Sequence, residues 1–320
     1  MLLDRSRWQE AQALWERCAE NIALPTVWRN LALIYYNKLH DAPRARKAMQ
    51  TAFAMDRTDA RVFFELDQLD KITNAPYAER LVRMQENAAL LPQRDDLYTE
   101  YITLLNLDGQ YQKAYDCIMW HNFHPWEGGE GKIPAQYRLT LMGLARAADD
   151  DTALALLQQA LTYPHNLGEG KLIGNLDNDL YEMIGELYAK RGDTARAEEA
   201  FRLAARGNFD LTGAIYYNDQ PPQMMYYAAK ALAALGATDE AQKRFAAFID
   251  YAEAHRDDMM EIEYFAVSLP DFLIFEGDLN KNNRVHCCLM EALGALVLVI
   301  TNAPGRLLCA ALPKTAARVN

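Results

Sequence analysis

Two glycine-rich segments carry the densest chemistry in the chain: His124-Pro125-Trp126-Glu127-Gly128-Gly129-Glu130-Gly131-Lys132 and Pro164-His165-Asn166-Leu167-Gly168-Glu169-Gly170-Lys171. A third, Tyr216-Tyr217-Asn218-Asp219-Gln220-Pro221-Pro222, differs in letters but again gathers aromatic, amide and acidic groups. Glycine followed by lysine suggests a phosphate cradle. A P-loop, however, needs GxxxxGK followed by Ser or Thr after a strand; positions 126 and 165 are Trp and His, and the lysines precede Ile133 and Leu172. Metal ligation is the second chemistry, since His121, His124, Glu127, Glu130, His165 and Glu169 supply enough donors. No HExxH or CxxC spacing orders them, so neither a metal nor a cofactor is expected.

The third chemistry is a polar ligand held between aromatic faces and hydrogen-bonding carboxylates and amides, which suits a sugar or another polyhydroxylated molecule. The candidate ligand-binding residues are His124, Trp126, Glu127, Glu130 and Lys132 in the first segment and His165, Asn166, Glu169 and Lys171 in the second. Tyr216, Tyr217, Asn218 and Asp219 complete the set from the third. The competing reading is structural. The Glu and Lys residues would cap helix ends and pair with each other, while Trp126, Leu167 and Tyr216 pack the segments down. Paired carboxylates such as Glu127 and Glu130 do glycosidase chemistry only at a defined separation, which sequence does not give.

The elements that position these segments are helices in a repeating register. Tyr98, Tyr101, Ile102, Leu105, Gly109, Tyr111, Ala114 and Ile118 mark two short antiparallel helices. The same spacing recurs as Tyr181, Ile184, Gly185, Tyr188, Gly192, Thr194, Ala197 and Phe201, and again as Met225, Ala228, Ala229, Leu232, Gly236, Thr238, Ala241 and Phe245. Looser copies start at Trp28 and Phe63, a further pair spans Gln136 to Leu161, and Trp8 to Cys18 reads as a lone second helix. Small residues at Gly185, Ala229, Ala114, Ala197 and Ala241 let helix axes approach, and Gly109, Gly192 and Gly236 supply the positive φ of a helix stop. The pattern resembles the tetratricopeptide repeat of about 34 residues. That resemblance, over roughly residues 8 to 250, implies an all-α right-handed solenoid of about seven helix pairs over residues 1–296. Residues are added at 121–135, 163–177 and 206–222, each between a second helix and the next first helix, so all three should emerge along one edge.

The segments together, with Tyr264 to Leu273, also resemble something narrower. They look like the C-terminal helical region of uncharacterised bacterial proteins in which a mutarotase-like β-sandwich precedes the repeats. The resemblance implies carbohydrate-linked work; the β-rich part has no counterpart here.

In tetratricopeptide arrays the first helix of each pair lines the concave face. Its exposed positions are expected at Asp96, Thr99, Thr103, Asn106, Asp179, Glu182, Glu186, Gln223, Tyr226 and Lys230, a polar and acidic surface suited to a basic or hydroxyl-rich partner. Asp257 to Asp278 should close the array, and Asn282 to Leu296 forms a last helix; the tail 297–320, broken by Pro304-Gly305 and Pro313, reads as out of register and weakly ordered.

Composition bounds the rest. A formal net charge of -11 over 320 residues, with no run of basic residues, argues against nucleic acid as a partner. The longest apolar run, Ala292 to Ile300, is far short of the roughly 18 to 20 residues that span a bilayer, so no membrane association is expected. Five cysteines without paired spacing, and a charged N-terminus, fit a reduced cytoplasmic compartment. The expected function is a non-catalytic binding or scaffold module whose protein or peptide partner, or polyhydroxylated small molecule, meets the inserted loops and acidic concave face. The alternative is the helical part of a carbohydrate-processing enzyme, with Glu127, Glu130, Glu169 and Asp219 acting beside a β-sandwich domain outside this chain.

Overall fold

The computed structural model describes residues 7–126, 128–172, 174–213, 220–261 and 274–301, with side chains to position 296. Every regular element among them is helical. The chain divides into two compact units: residues 1–110 with 271–277, and 111–270 with 278–320. The two helices of the 95–121 segment therefore fall in different units.

The first unit contains α1 (Trp8–Asn21), α2 (Pro25–Asn37), α3 (Ala42–Met55), α4 (Ala60–Ile72), α5 (Tyr77–Glu86), a 3-10 turn (Ala88–Gln93) and α6 (Asp95–Leu107). Asp41 and Asp59 start α3 and α4 by accepting the first free backbone N–H groups, from Arg44 in one case and Arg61 and Val62 in the other. Phe53 stacks on Phe63 at 4.9 Å, over a core of Leu31, Met49, Leu66, Leu69, Met84, Leu97 and Ile102. Of the segment expected to close the array, Phe275 is buried against the edge of Tyr36. The amide of Asn37 brackets it, donating to the Ile274 carbonyl and accepting from the Glu276 N–H.

The second unit contains α7 (Tyr111–Trp120), α8 (Lys132–Ala147), α9 (Asp150–Ala160), a 3-10 turn (His165–Leu167), α10 (Asn178–Lys190) and α11 (Thr194–Ala204). It continues with α12 (Pro222–Ala234), α13 (Thr238–His255) and α14 (Leu279–Thr301). The three-residue connections after α10 and α12 fold each following helix back antiparallel. Gly192 and Gly236 sit there at φ +75° and +87°, with open space around them, so their role is conformational alone. Gly185 is different: a Cβ there would lie 2.6 Å from the Phe201 ring, so α10 and α11 approach as closely as they do because that atom is missing. Ala114, Ala197, Ala229 and Ala241 are buried as the close-contact reading expects. Phe245 and Phe248, on α13, anchor the core shared with Cys287, Met290 and Leu293 of α14.

The inserted loops are shorter than the sequence suggests, because α8 begins at Lys132 and a 3-10 turn occupies 165–167. The backbone of 297–301 continues α14; the rest of the tail, 302–320, lies outside the described residues.

Candidate functional site

The first two inserted loops bind each other. The Asn166 side-chain amide donates to the Ile118 and His121 carbonyls at 2.7 and 2.9 Å, satisfying the C-terminal end of α7. The Asn166 carbonyl accepts from the Phe123 N–H at 2.8 Å. Next to it Gly168 has φ +71°, and a Cβ there would sit 2.3 Å from the Phe123 carbonyl oxygen, so the close approach of the two strands of loop requires glycine. Glu169 reaches the other end of the first loop and accepts the Gly131 N–H at 2.7 Å, placing a carboxylate at the N-terminus of α8. Burial pushes the Glu169 carboxyl up, and the Gly131 N–H partly offsets it. Lys171 donates to the Leu161 carbonyl at 2.8 Å just past the end of α9 and pairs with Asp177.

Glu169 and Lys171 thus do the helix-end work of the structural reading, and Asn166 joins them. Trp126 lies against Gly129, where any Cβ would strike the indole, and Leu167 is buried. His124, Glu130 and His165 are exposed, while Lys132 is half-buried at the start of α8. Glu127, Tyr216, Tyr217, Asn218 and Asp219 lie outside the described residues. Around that third segment, Asn178 donates to the Ala204 and Arg206 carbonyls at 2.5 and 2.8 Å, and a Cβ on Gly207 would meet Leu176. His286 of α14 holds the Thr212 carbonyl at 2.9 Å.

A second cluster lies on the first helices of this unit. Asp179, Glu182 and Glu186 are spaced three and four residues apart, hence on one face of α10. Arg138 of α8 pairs with Asp179 and stands 3.7 Å from Asp177. Lys230 of α12 places its ammonium 2.5 Å from Glu182 and 3.2 Å from Glu186, and 5.7 Å from the centre of the Tyr227 ring. These residues were expected to be exposed; Asp179, Glu182 and Tyr226 are instead buried, Lys230 is half-buried, and Glu186 and Gln223 are exposed. Charge pairing is the reason: each buried acid has a cation from a neighbouring helix, which offsets the cost of leaving water. The offset is incomplete. The second carboxylate oxygen of Glu182 is buried without a hydrogen-bond partner, and Asp177 Oδ1 and Arg138 Nε are in the same position. Burial, countered by Lys230 and reinforced by Glu186, pushes the Glu182 carboxyl up to about 8. Burial likewise drives the Tyr227 phenol upward.

In the first unit the expected face residues are already engaged or hidden. Asp96 pairs with Arg94 at 2.6 Å, and Thr103 donates to the Thr99 carbonyl at 2.9 Å. Thr99 is buried with its hydroxyl unpartnered, and Asn106 is half-buried. The main polar feature of that unit was not anticipated: Arg80 forks onto Asp67 and reaches Glu100, and Arg83 bridges Asp67 and Asp70. Arg46 also pairs with Asp70, and Lys71 with Glu100.

Sequence reasoning missed Arg138, Asp177 and Tyr227 in the second unit. The register did carry one signal, for the pairing itself: Glu186 and Lys230 occupy the same position of successive first helices, opposite charges on neighbouring helices.

No family model matches the chain. Among solved structures it is similar to the Naa15/Naa10 complex bound to HypK-THB, at 16% identity and a TM-score of 0.41, covering 80% of this chain and 36% of the other. It is also similar to the C-terminal part of a TPR repeat-containing protein from Cytophaga hutchinsonii, at 13% identity and a TM-score of 0.27, covering 79% and 80%. The chain therefore spans little more than a third of the Naa15/Naa10 chain it matches.

Proposed function

We propose that this chain is a non-catalytic binding module whose partner is a protein or peptide carrying basic side chains, received on the first-helix face of the second unit. The observation that carries the reading is Glu182: a carboxyl 2% exposed, sharing one lysine with Glu186 and held above the ordinary carboxylate range by burial and by Glu186. Buried acids with too few cations favour a positively charged partner, and Gln223 and Glu186 keep the face open to one. The joined loops support this by fixing the edge of the array, with Asn166, Glu169 and Lys171 engaged in closing helix ends.

The test uses the full chain and labelled 12-residue peptides of basic, acidic and apolar composition, read by fluorescence anisotropy, beside a glycan array. Binding of the basic peptide alone is expected, with a loss of about tenfold or more in Glu186→Lys, which reverses the charge at the open edge. Binding to glycans that disappears in Trp126→Ala and Glu130→Ala, without peptide binding, would replace this reading with the carbohydrate-linked one.

A further inference from the structure

Three groups hold the Lys230 ammonium: the Glu182 and Glu186 carboxyls at 2.5 and 3.2 Å, and the Tyr227 ring at 5.7 Å. Two acids and an aromatic ring around one cation make a cation cage, the arrangement used to recognise ammonium and guanidinium groups. Here the cage is filled by the chain's own side chain. The fit is imperfect, because one ammonium is shared by two carboxyls and the second Glu182 oxygen is buried with no N–H donor. A planar guanidinium carries five N–H donors in a fork and can serve both carboxylates at once.

We propose that Lys230 is a placeholder, and that an arginine side chain of the basic partner displaces it from between Glu182 and Glu186. Lys230 is about one-third exposed and sits on a flexible stem, so it can swing to solvent while its cage stays in place on α10 and α12. The self-filled cage keeps the buried acids paired when no partner is present. The cost is affinity: an arginine binds only to the fraction of molecules whose cage is open, so removing the placeholder should tighten binding. The proposal rests on the proposed function of the same face, and the experiment separates the two.

N-acetyl-arginine methylamide is titrated into the full chain and followed by NMR, with N-acetyl-norleucine methylamide as the uncharged control. The same titration is run on Lys230→Met and Glu182→Gln, and each variant is checked by thermal unfolding. The arginine probe is expected to bind the native chain weakly, Lys230→Met about tenfold more tightly, and Glu182→Gln more weakly than native. Native binding that Lys230→Met leaves unchanged or weakens overturns the placeholder while leaving the binding face intact. No arginine binding in either protein, or equal binding of the norleucine probe, overturns both. Should Lys230→Met fail to fold, Lys230→Gln keeps a hydrogen-bond donor for Glu182, removes the charge, and is read in the same way.

Discussion

Each unit sets a glutamate of a first helix against cations of neighbouring helices, and the two glutamates are driven in opposite directions. Burial raises Glu100 of the first unit, but Lys71 and Arg80 together outweigh it and hold the carboxyl at about 2. Glu182 of the second unit has Lys230 as its cation, shares it with Glu186, and is pushed up to about 8. The environments differ chiefly in supply of positive charge; Glu100 is also the more open, its side chain 14% exposed against 3% for Glu182. Around Asp67, Asp70 and Glu100 stand Arg46, Lys71, Arg80 and Arg83, two of them arginines that fork across two acids. Each acid of that network has more than one cation within reach, although Asp70 Oδ1 and Arg83 Nε are buried without a hydrogen-bond partner. Glu182, by contrast, has a single cation, which it shares with Glu186. Burial also raises Asp67 within the first network, so the contrast lies between Glu100 and Glu182 themselves.

Removing a cation from the first network should have the largest effect. Arg80→Leu leaves Asp67, which is fully buried, without its fork and should cost about 3–5 kcal/mol in urea unfolding. A variant within about 0.5 kcal/mol of native would mean that the network is incidental.

Acid should reveal the same contrast without mutation. Glu100 is lowered from 4.5 to about 2, so its contribution is present above pH 4.5 and is lost as pH falls towards 2. By linkage it amounts to roughly 3 kcal/mol before screening at a partly exposed site is discounted. Glu182 has the opposite sign. Its folded-state value is raised from 4.5 to about 8, so the stability it contributes is present below pH 4.5 and lost as pH rises through 8. Chemical denaturation from pH 3 to 9 should therefore show Glu182→Gln gaining on the native chain as pH rises, while Glu100→Gln becomes less sensitive to acid than native. Parallel curves for the two variants would erase the distinction between the clusters.

The smallest differences concern glycines. Gly168→Ala meets both a positive φ and the Phe123 carbonyl and should cost about 2–3 kcal/mol, whereas Gly192→Ala, with open space around it, should cost about 1 kcal/mol. Thermal unfolding of the pair separates steric closure of the loops from simple helix-stop conformation.

The helix stops and close contacts were legible in sequence because each depends on one residue type at one position. Gly109, Gly192 and Gly236 announce a left-handed backbone, and Gly185 announces a near helix. The echo of Gly129 to Lys132 at Gly168 to Lys171 was legible too, but its meaning was not. Lys132 opens α8, whereas Lys171 closes α9, and Glu130 is exposed whereas Glu169 caps α8. Four identical letters take different roles because the partner is long-range: Glu169 finds Gly131 across 38 residues. The burial of Asp179 and Glu182 was hidden for the same reason. A helical period assigns acids to the solvent face, and only the cations of adjacent helices, Arg138 and Lys230, reverse that assignment.

The most direct measurement is the titration of the Glu182 side-chain carboxyl by carbon-13 NMR, in the free chain and with the basic peptide bound. A midpoint near 8 is expected in the free chain, falling towards the ordinary carboxylate range when the peptide's positive charge arrives. An ordinary midpoint near 4.5 that the peptide leaves in place would contradict the account.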